Sequence, residues 1–80
     1  MGAQATPRRT LDCRGLLCPM PIIEASKAIK GMEVGQILEM LATDPGSKRD
    51  MEAWARQTGH ELLDVQEEDG LFKFYVRRSK

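Results

Sequence analysis

The residues of this chain that are best suited to chemistry lie in the run Cys18-Pro19-Met20-Pro21. Both prolines suit the first turn of a helix, where the backbone N–H that each lacks would have no partner. The residue before a proline favours extended backbone, which a helix N-cap requires. We therefore expect Cys18 at the N-cap of a helix over residues 19–30, where free N–H groups and the helix dipole favour a thiolate of lowered pKa.

Charged side chains further along the chain could act on the same sulfur. A right-handed crossover makes the first two strands parallel, so both helices are expected to begin at the same edge of the sheet. Lys48 and Arg49 near the second helix start, together with Arg14 before the first, are candidate cations beside the thiolate. Asp44, the predicted N-cap of the second helix, would offset part of their field.

Two features bear on whether a partner protein could reach the thiol of Cys18 and whether Cys18 is the only reactive cysteine. Leu16, Leu17 and Met20 could form an apolar rim for partner docking, although the two leucines could equally pack inward. Cys18 itself could be a small buried hydrophobe, but an N-cap is usually partly solvated. Cys13 is expected on the core side of its strand, where its thiol would be inert packing rather than half of a redox pair.

The hydrophobic pattern predicts the elements that hold these residues. Alternation indicates a first strand, an apolar run indicates a buried central strand, and the spacing of Met51, Trp54 and Ala55 indicates a second helix. Asp69-Gly70 predicts a tight hairpin between two last strands. The predicted order is β-α-β-α-β-β, an α+β two-layer sandwich with two helices on one face of a four-stranded mixed sheet; the strands cover residues 10–14, 34–43, 60–68 and 71–78.

Composition excludes several classes of function. Twelve basic residues balance twelve acidic ones, which gives no overall field for direct binding of nucleic acid. No apolar run is long enough to span a membrane, no signal peptide is visible, and no spacing suits a metal site, so we expect a cytoplasmic protein without a metal. Residues 1–8 are expected to be a disordered tail, and residues 9–80 a single domain.

Over residues 10–78 the chain resembles the TusA family of sulfur-relay proteins, also called SirA-like or YedF-like. The resemblance is carried by Leu11-Asp12, Gly15-Leu16, Cys18-Pro19-Met20-Pro21, Gly35, Thr43-Asp44-Pro45, Trp54 and Gly59-His60. The CPxP box alone is a weak signal. Together with the Asp-Pro helix start and the later Gly-His pair it is fairly specific.

This resemblance implies the same sandwich fold and a persulfide on Cys18. The sulfur would come from a cysteine desulfurase or rhodanese-like donor and pass to an acceptor protein by transient contact, as in thiolation of tRNA or supply of the molybdenum cofactor. Such a carrier needs no cofactor, is a sulfurtransferase-like intermediary rather than a stand-alone catalyst, and is expected to be a monomer. The alternative is a thiol redox switch, or a regulatory binding module, that uses Cys13 and Cys18.

Overall fold

The predicted order of elements is confirmed in the computed structural model, which describes residues 7–80. The elements are β1 (Arg9–Cys13), α1 (Met20–Lys30), β2 (Ile37–Ala42), α2 (Ser47–Thr58), β3 (Glu61–Glu68) and β4 (Leu71–Arg77). Most of the expected tail lies outside the described residues. Arg8, a residue of the predicted tail, donates its backbone N–H to the carbonyl of Ile37 at 2.7 Å and so continues the pairing of β1 with β2.

The four strands form one mixed sheet in the order β1-β2-β4-β3. Strand β1 is parallel to β2, whereas β4 is antiparallel to both β2 and β3. Because β2 is paired on both edges, it is the interior strand that its apolar run predicts. The parallel pair also places the ends of β1 and β2, and therefore the starts of both helices, at one edge of the sheet.

The core lies between the helices and one face of the sheet. Strand β4 alternates, so that Phe72, Phe74 and Val76 are buried on this face. Both helices contribute buried side chains to the same cluster, and Trp54 Nε1 of α2 donates to Ser26 Oγ of α1 at 2.9 Å. The two helices are thus joined by a hydrogen bond as well as by apolar packing, which confirms the two-layer arrangement.

Two turns determine where β3 ends, where β4 begins and where β2 begins. Asp69 and Gly70 both have positive φ, 52° and 81°, which is the backbone of the tight hairpin turn that Asp-Gly favours. Strand β2 begins three residues later than predicted. The N–H of Gln36 donates to the carbonyl of Glu33 at 3.0 Å, and this turn occupies the residues that the apolar pattern assigned to the strand.

Candidate functional site

Cys18 lies in the loop between β1 and α1, at the edge of the sheet where β2 also ends. Two side chains that follow β2 hold this loop: Thr43 Oγ1 accepts the N–H of Gly15 at 2.9 Å, and Asp44 Oδ2 accepts the N–H of Cys18 at 3.1 Å. The side chain of Cys18 is exposed. The sulfur is therefore accessible while its backbone is anchored to the neighbouring β2–α2 connection.

The prediction that Cys18 is the N-cap of α1 is wrong. Pro19 holds that position, and its carbonyl accepts the N–H groups of Ile22 at 3.1 Å and Ile23 at 3.2 Å. Since Ile22 already donates to Pro19, the carbonyl of Cys18 receives no helical hydrogen bond. Pro21 occupies the second helical position, where its missing N–H costs nothing, and it is buried.

Asp44 is not the N-cap of α2 either. A turn closed by the N–H of Ser47 and the carbonyl of Asp44, at 3.0 Å, places Gly46 at the N-cap. The carboxylate of Asp44 is instead shared between the N–H of Cys18 and, at 3.4 Å, the N–H of Gly46. Its position one turn before the helix makes it a link between two loops rather than a helix cap.

The thiol of Cys18 donates to Oδ2 of Asp50, in the first turn of α2, with 2.7 Å between sulfur and oxygen. This hydrogen bond is the main cause of a raised pKa for Cys18, followed by a partial loss of solvation and by the negative charges of Asp50 and Asp44. The expected lowering of this pKa is therefore wrong. The right-handed crossover correctly predicted that both helices begin at the same edge of the sheet. The group that contacts the sulfur there is the carboxylate of Asp50, however, and not a basic side chain.

No motif singled out Asp50. The sequence signal that could have pointed to Asp50 was its position in the first turn of a helix predicted to begin beside Cys18. Acidic residues are favoured in the first turn of a helix. That rule explains why an acid occurs there. It does not tell which way the side chain points.

The predicted basic residues differ in their effect. Arg49 lowers the pKa of Cys18, against the larger opposing effects, whereas Lys48 is not among the charges that shift it. Arg14 donates Nε and Nη2 to the two carboxylate oxygens of Asp12, each at 2.9 Å. This pairing lowers the pKa of Asp12 to about 2 and occupies the guanidinium that was expected to face the sulfur.

The three predicted rim residues divide into two groups. Leu16 packs partly buried against the core, whereas Leu17 is 71% exposed and Met20 is 40% exposed. Ile23, which the sequence interpretation omitted, is 40% exposed as well. Its spacing of three residues from Met20 on α1 could have identified it. The exposed large apolar residues within five positions of Cys18 in the chain are thus Leu17, Met20 and Ile23.

Cys13 is fully enclosed in the core, as its strand alternation predicts. Burial is the first cause of its raised pKa, and both cysteines are free thiols. Cys18 is therefore the accessible one of the two. Among the described residues, no His, Cys, Asp and Glu side chains cluster as metal ligands, and no helix is long and apolar enough to cross a membrane.

The sequence profile described as "Sulfurtransferase TusA" matches residues 9–78. The chain belongs to the TusA family of sulfur carriers. This confirms the resemblance carried by the CPxP box and the Asp-Pro and Gly-His pairs.

Similar proteins of the TusA family come from bacteria and archaea. The sulfur carrier protein TusA of Allochromatium vinosum is 49% identical over 86% of this chain and 91% of its own length. A putative sulfur carrier protein of Halobacterium salinarum is 46% identical over 100% of both chains. The crystal structure of a SirA-like protein from Desulfitobacterium hafniense superposes with a TM-score of 0.77 at 26% identity, covering 90% of this chain and 99% of that one.

Proposed function

We propose that this TusA-family protein carries sulfane sulfur as a persulfide on Cys18, accepting it from one protein and passing it to another. The observation that carries the proposal is the contrast between the two cysteines. Cys18 is exposed on an anchored loop, whereas Cys13 is sealed in the core. One reachable thiol suits a carrier, because a second thiol within reach could displace the sulfur and leave a disulfide.

The transfer is an exchange between sulfur atoms. Sγ of Cys18 loses its proton and attacks the terminal sulfur of the donor's persulfide; the donor's S–S bond breaks, and its own sulfur leaves with the electron pair and takes up a proton. Sulfur moves without net oxidation, so no cofactor is required. Because the thiolate is the nucleophile and the pKa of Cys18 is raised, loading is expected to become faster as pH rises above neutral.

The partners follow from the chemistry of the exchange. The donor must itself hold a persulfide, as a cysteine desulfurase or a rhodanese-like protein does. Membership of the TusA family implies an acceptor protein of tRNA thiolation, molybdenum cofactor synthesis or another sulfur pathway. We propose that Leu17, Met20 and Ile23 contact both partners, since these exposed apolar side chains lie within five residues of Cys18 in the chain. The contacts are transient, because donor and acceptor must reach the same sulfur in turn.

Incubation with a cysteine desulfurase and free cysteine, followed by intact mass measurement, tests the carrier function. The expected product has the mass of one added sulfur, loses it on treatment with a reductant, and does not form on Cys18→Ser. Cys13→Ala is the matched control and should still load. Sulfur addition that persists in Cys18→Ser would refute the proposal, and loss of two hydrogens requiring both cysteines would establish the redox switch instead.

A further inference from the structure

The hydrogen bond between Cys18 and Asp50 can exist in only one state of the carrier. It requires a hydrogen on Sγ, and Sγ carries none once it is bonded to a sulfane sulfur. We propose that Asp50 stabilises the unloaded thiol of Cys18 relative to the loaded persulfide and so biases the carrier towards handing its sulfur on. This inference rests on the proposed function and adds a residue that controls the direction of transfer.

Two hydrogen bonds fix the position of Cys18 relative to Asp50, one to its backbone and one from its thiol. Asp44 accepts the backbone N–H of Cys18 at 3.1 Å, and Asp50 Oδ2 lies 2.7 Å from its sulfur. Asp50 is half-buried on the first turn of α2, and its backbone N–H donates to the carbonyl of Gly46 at 3.1 Å. The acceptor is thus held by a helix, and the backbone of the donor is anchored by Asp44. A hydrogen bond to an ionised carboxylate is stronger than one between neutral groups.

The charges around the sulfur act in the same direction. An ionised persulfide would place its negative charge near Asp50 and Asp44, which oppose it, while Arg49 alone among the described basic residues favours negative charge on this sulfur. In the unloaded carrier, this balance of charges contributes to the raised pKa of the Cys18 thiol. A group that interacts with one of two states and not with the other shifts the equilibrium between them by the free energy of that interaction.

The equilibrium concerned is an exchange with a second thiol, written RSH. Cys18–SH and R–S–SH give Cys18–S–SH and RSH: the donor's S–S bond breaks, a new S–S bond forms at Sγ, and one proton moves from Sγ to the departing sulfur through solvent. Sulfur atoms, electrons and protons balance without an oxidant. Asp50 stabilises the side on which Cys18 is a thiol.

Glutathione persulfide and glutathione, mixed at a fixed ratio, provide the probe for this equilibrium. The loaded and unloaded forms of the carrier are quantified by intact mass in wild type, Asp50→Asn and Glu52→Gln. Asp50→Asn removes the charged acceptor and should raise the ratio of loaded to unloaded protein by roughly three- to tenfold. Glu52→Gln removes one negative charge from the same helix and should match wild type; Asp50→Ala is the second variant if Asp50→Asn does not fold.

A measurement without persulfide separates this inference from the carrier function. The rate at which iodoacetamide alkylates Cys18 is followed against pH by peptide mass. Its midpoint should lie at lower pH in Asp50→Asn than in wild type and Glu52→Gln. Wild type that takes up no sulfur would refute the carrier function while the alkylation midpoints still test Asp50. Equal loading in wild type and Asp50→Asn, or an unchanged midpoint, would overturn the role of Asp50.

Discussion

Oδ2 of Asp44 accepts the backbone N–H of Cys18 at 3.1 Å, although the two residues are 26 positions apart in the chain. This contact ties the β1–α1 loop to the β2–α2 connection. The sulfur therefore meets a defined set of charges: Asp50 and Asp44 raise its pKa, and Arg49 lowers it. Each of these charges can be removed separately.

Substitution of the two arginines should separate the basic residue that acts on the sulfur from the one that does not. Arg49→Gln removes the cation that lowers the pKa of Cys18, so the alkylation midpoint should move to higher pH. Arg14→Gln should leave the midpoint unchanged, because Arg14 is paired with Asp12. Equal shifts in the two variants would show that the effect is a general loss of positive charge.

Leu17 should matter for transfer and not for folding. Because it is 71% exposed, Leu17→Ser should change the free energy of unfolding by no more than about 0.5 kcal/mol. Loading by a cysteine desulfurase below saturation should nevertheless become several-fold slower if the donor contacts this side chain. Val34→Ser is the control, since Val34 is 63% exposed in the turn before β2, away from the sheet edge that holds Cys18. Equal slowing in both variants would argue against the docking surface.

Cys13 should contribute to stability and not to sulfur chemistry. Cys13→Ala removes a fully enclosed side chain and should lower the free energy of unfolding by about 1–2 kcal/mol, measured in urea. The amount of sulfur loaded on Cys18 should be unchanged at a temperature where the variant is folded. Failure of folded Cys13→Ala to load would mean that the buried thiol takes part in the exchange.

The contact between Tyr75 and Glu39 should give the protein a measurable pH dependence on the alkaline side. Tyr75 Oη donates to Glu39 Oε2 at 2.6 Å, which raises the pKa of Tyr75 from 10.0 to about 12. Because the folded-state pKa is the higher one, the stabilisation is complete below pH 10 and is lost as pH rises from 10 to about 12.

Tyr75→Phe should therefore cost about 1 kcal/mol in urea unfolding at neutral pH. The difference from wild type should shrink between pH 10 and about 12, where other groups titrate equally in both proteins. A difference that stays constant across this interval would show that Tyr75 stabilises by packing alone.

Most of the fold could be predicted because it depends on patterns that repeat along the chain. The alternation of Phe72, Phe74 and Val76 assigned the buried face of β4, and Asp69-Gly70 located the hairpin through its left-handed backbone. The same alternation placed Cys13 inside. Element ends were less predictable, because the turn at Glu33 to Gln36 depends on single hydrogen bonds that periodicity does not record.

The amino-acid sequence alone predicted Cys18 as the reactive residue, identified the family of the chain and located the sheet edge at which Cys18 lies, because residue types, a short motif and the handedness of a crossover are local or general properties. The electrostatic environment of Cys18 was not accessible in this way. It depends on which side chains meet across the β1–α1 loop and the start of α2, and a side chain's direction follows from packing. The thiol of Cys18 donates to Asp50, and Arg14 is paired with Asp12 instead of facing the sulfur. The pKa of Cys18 is therefore raised, whereas the sequence predicted that it would be lowered.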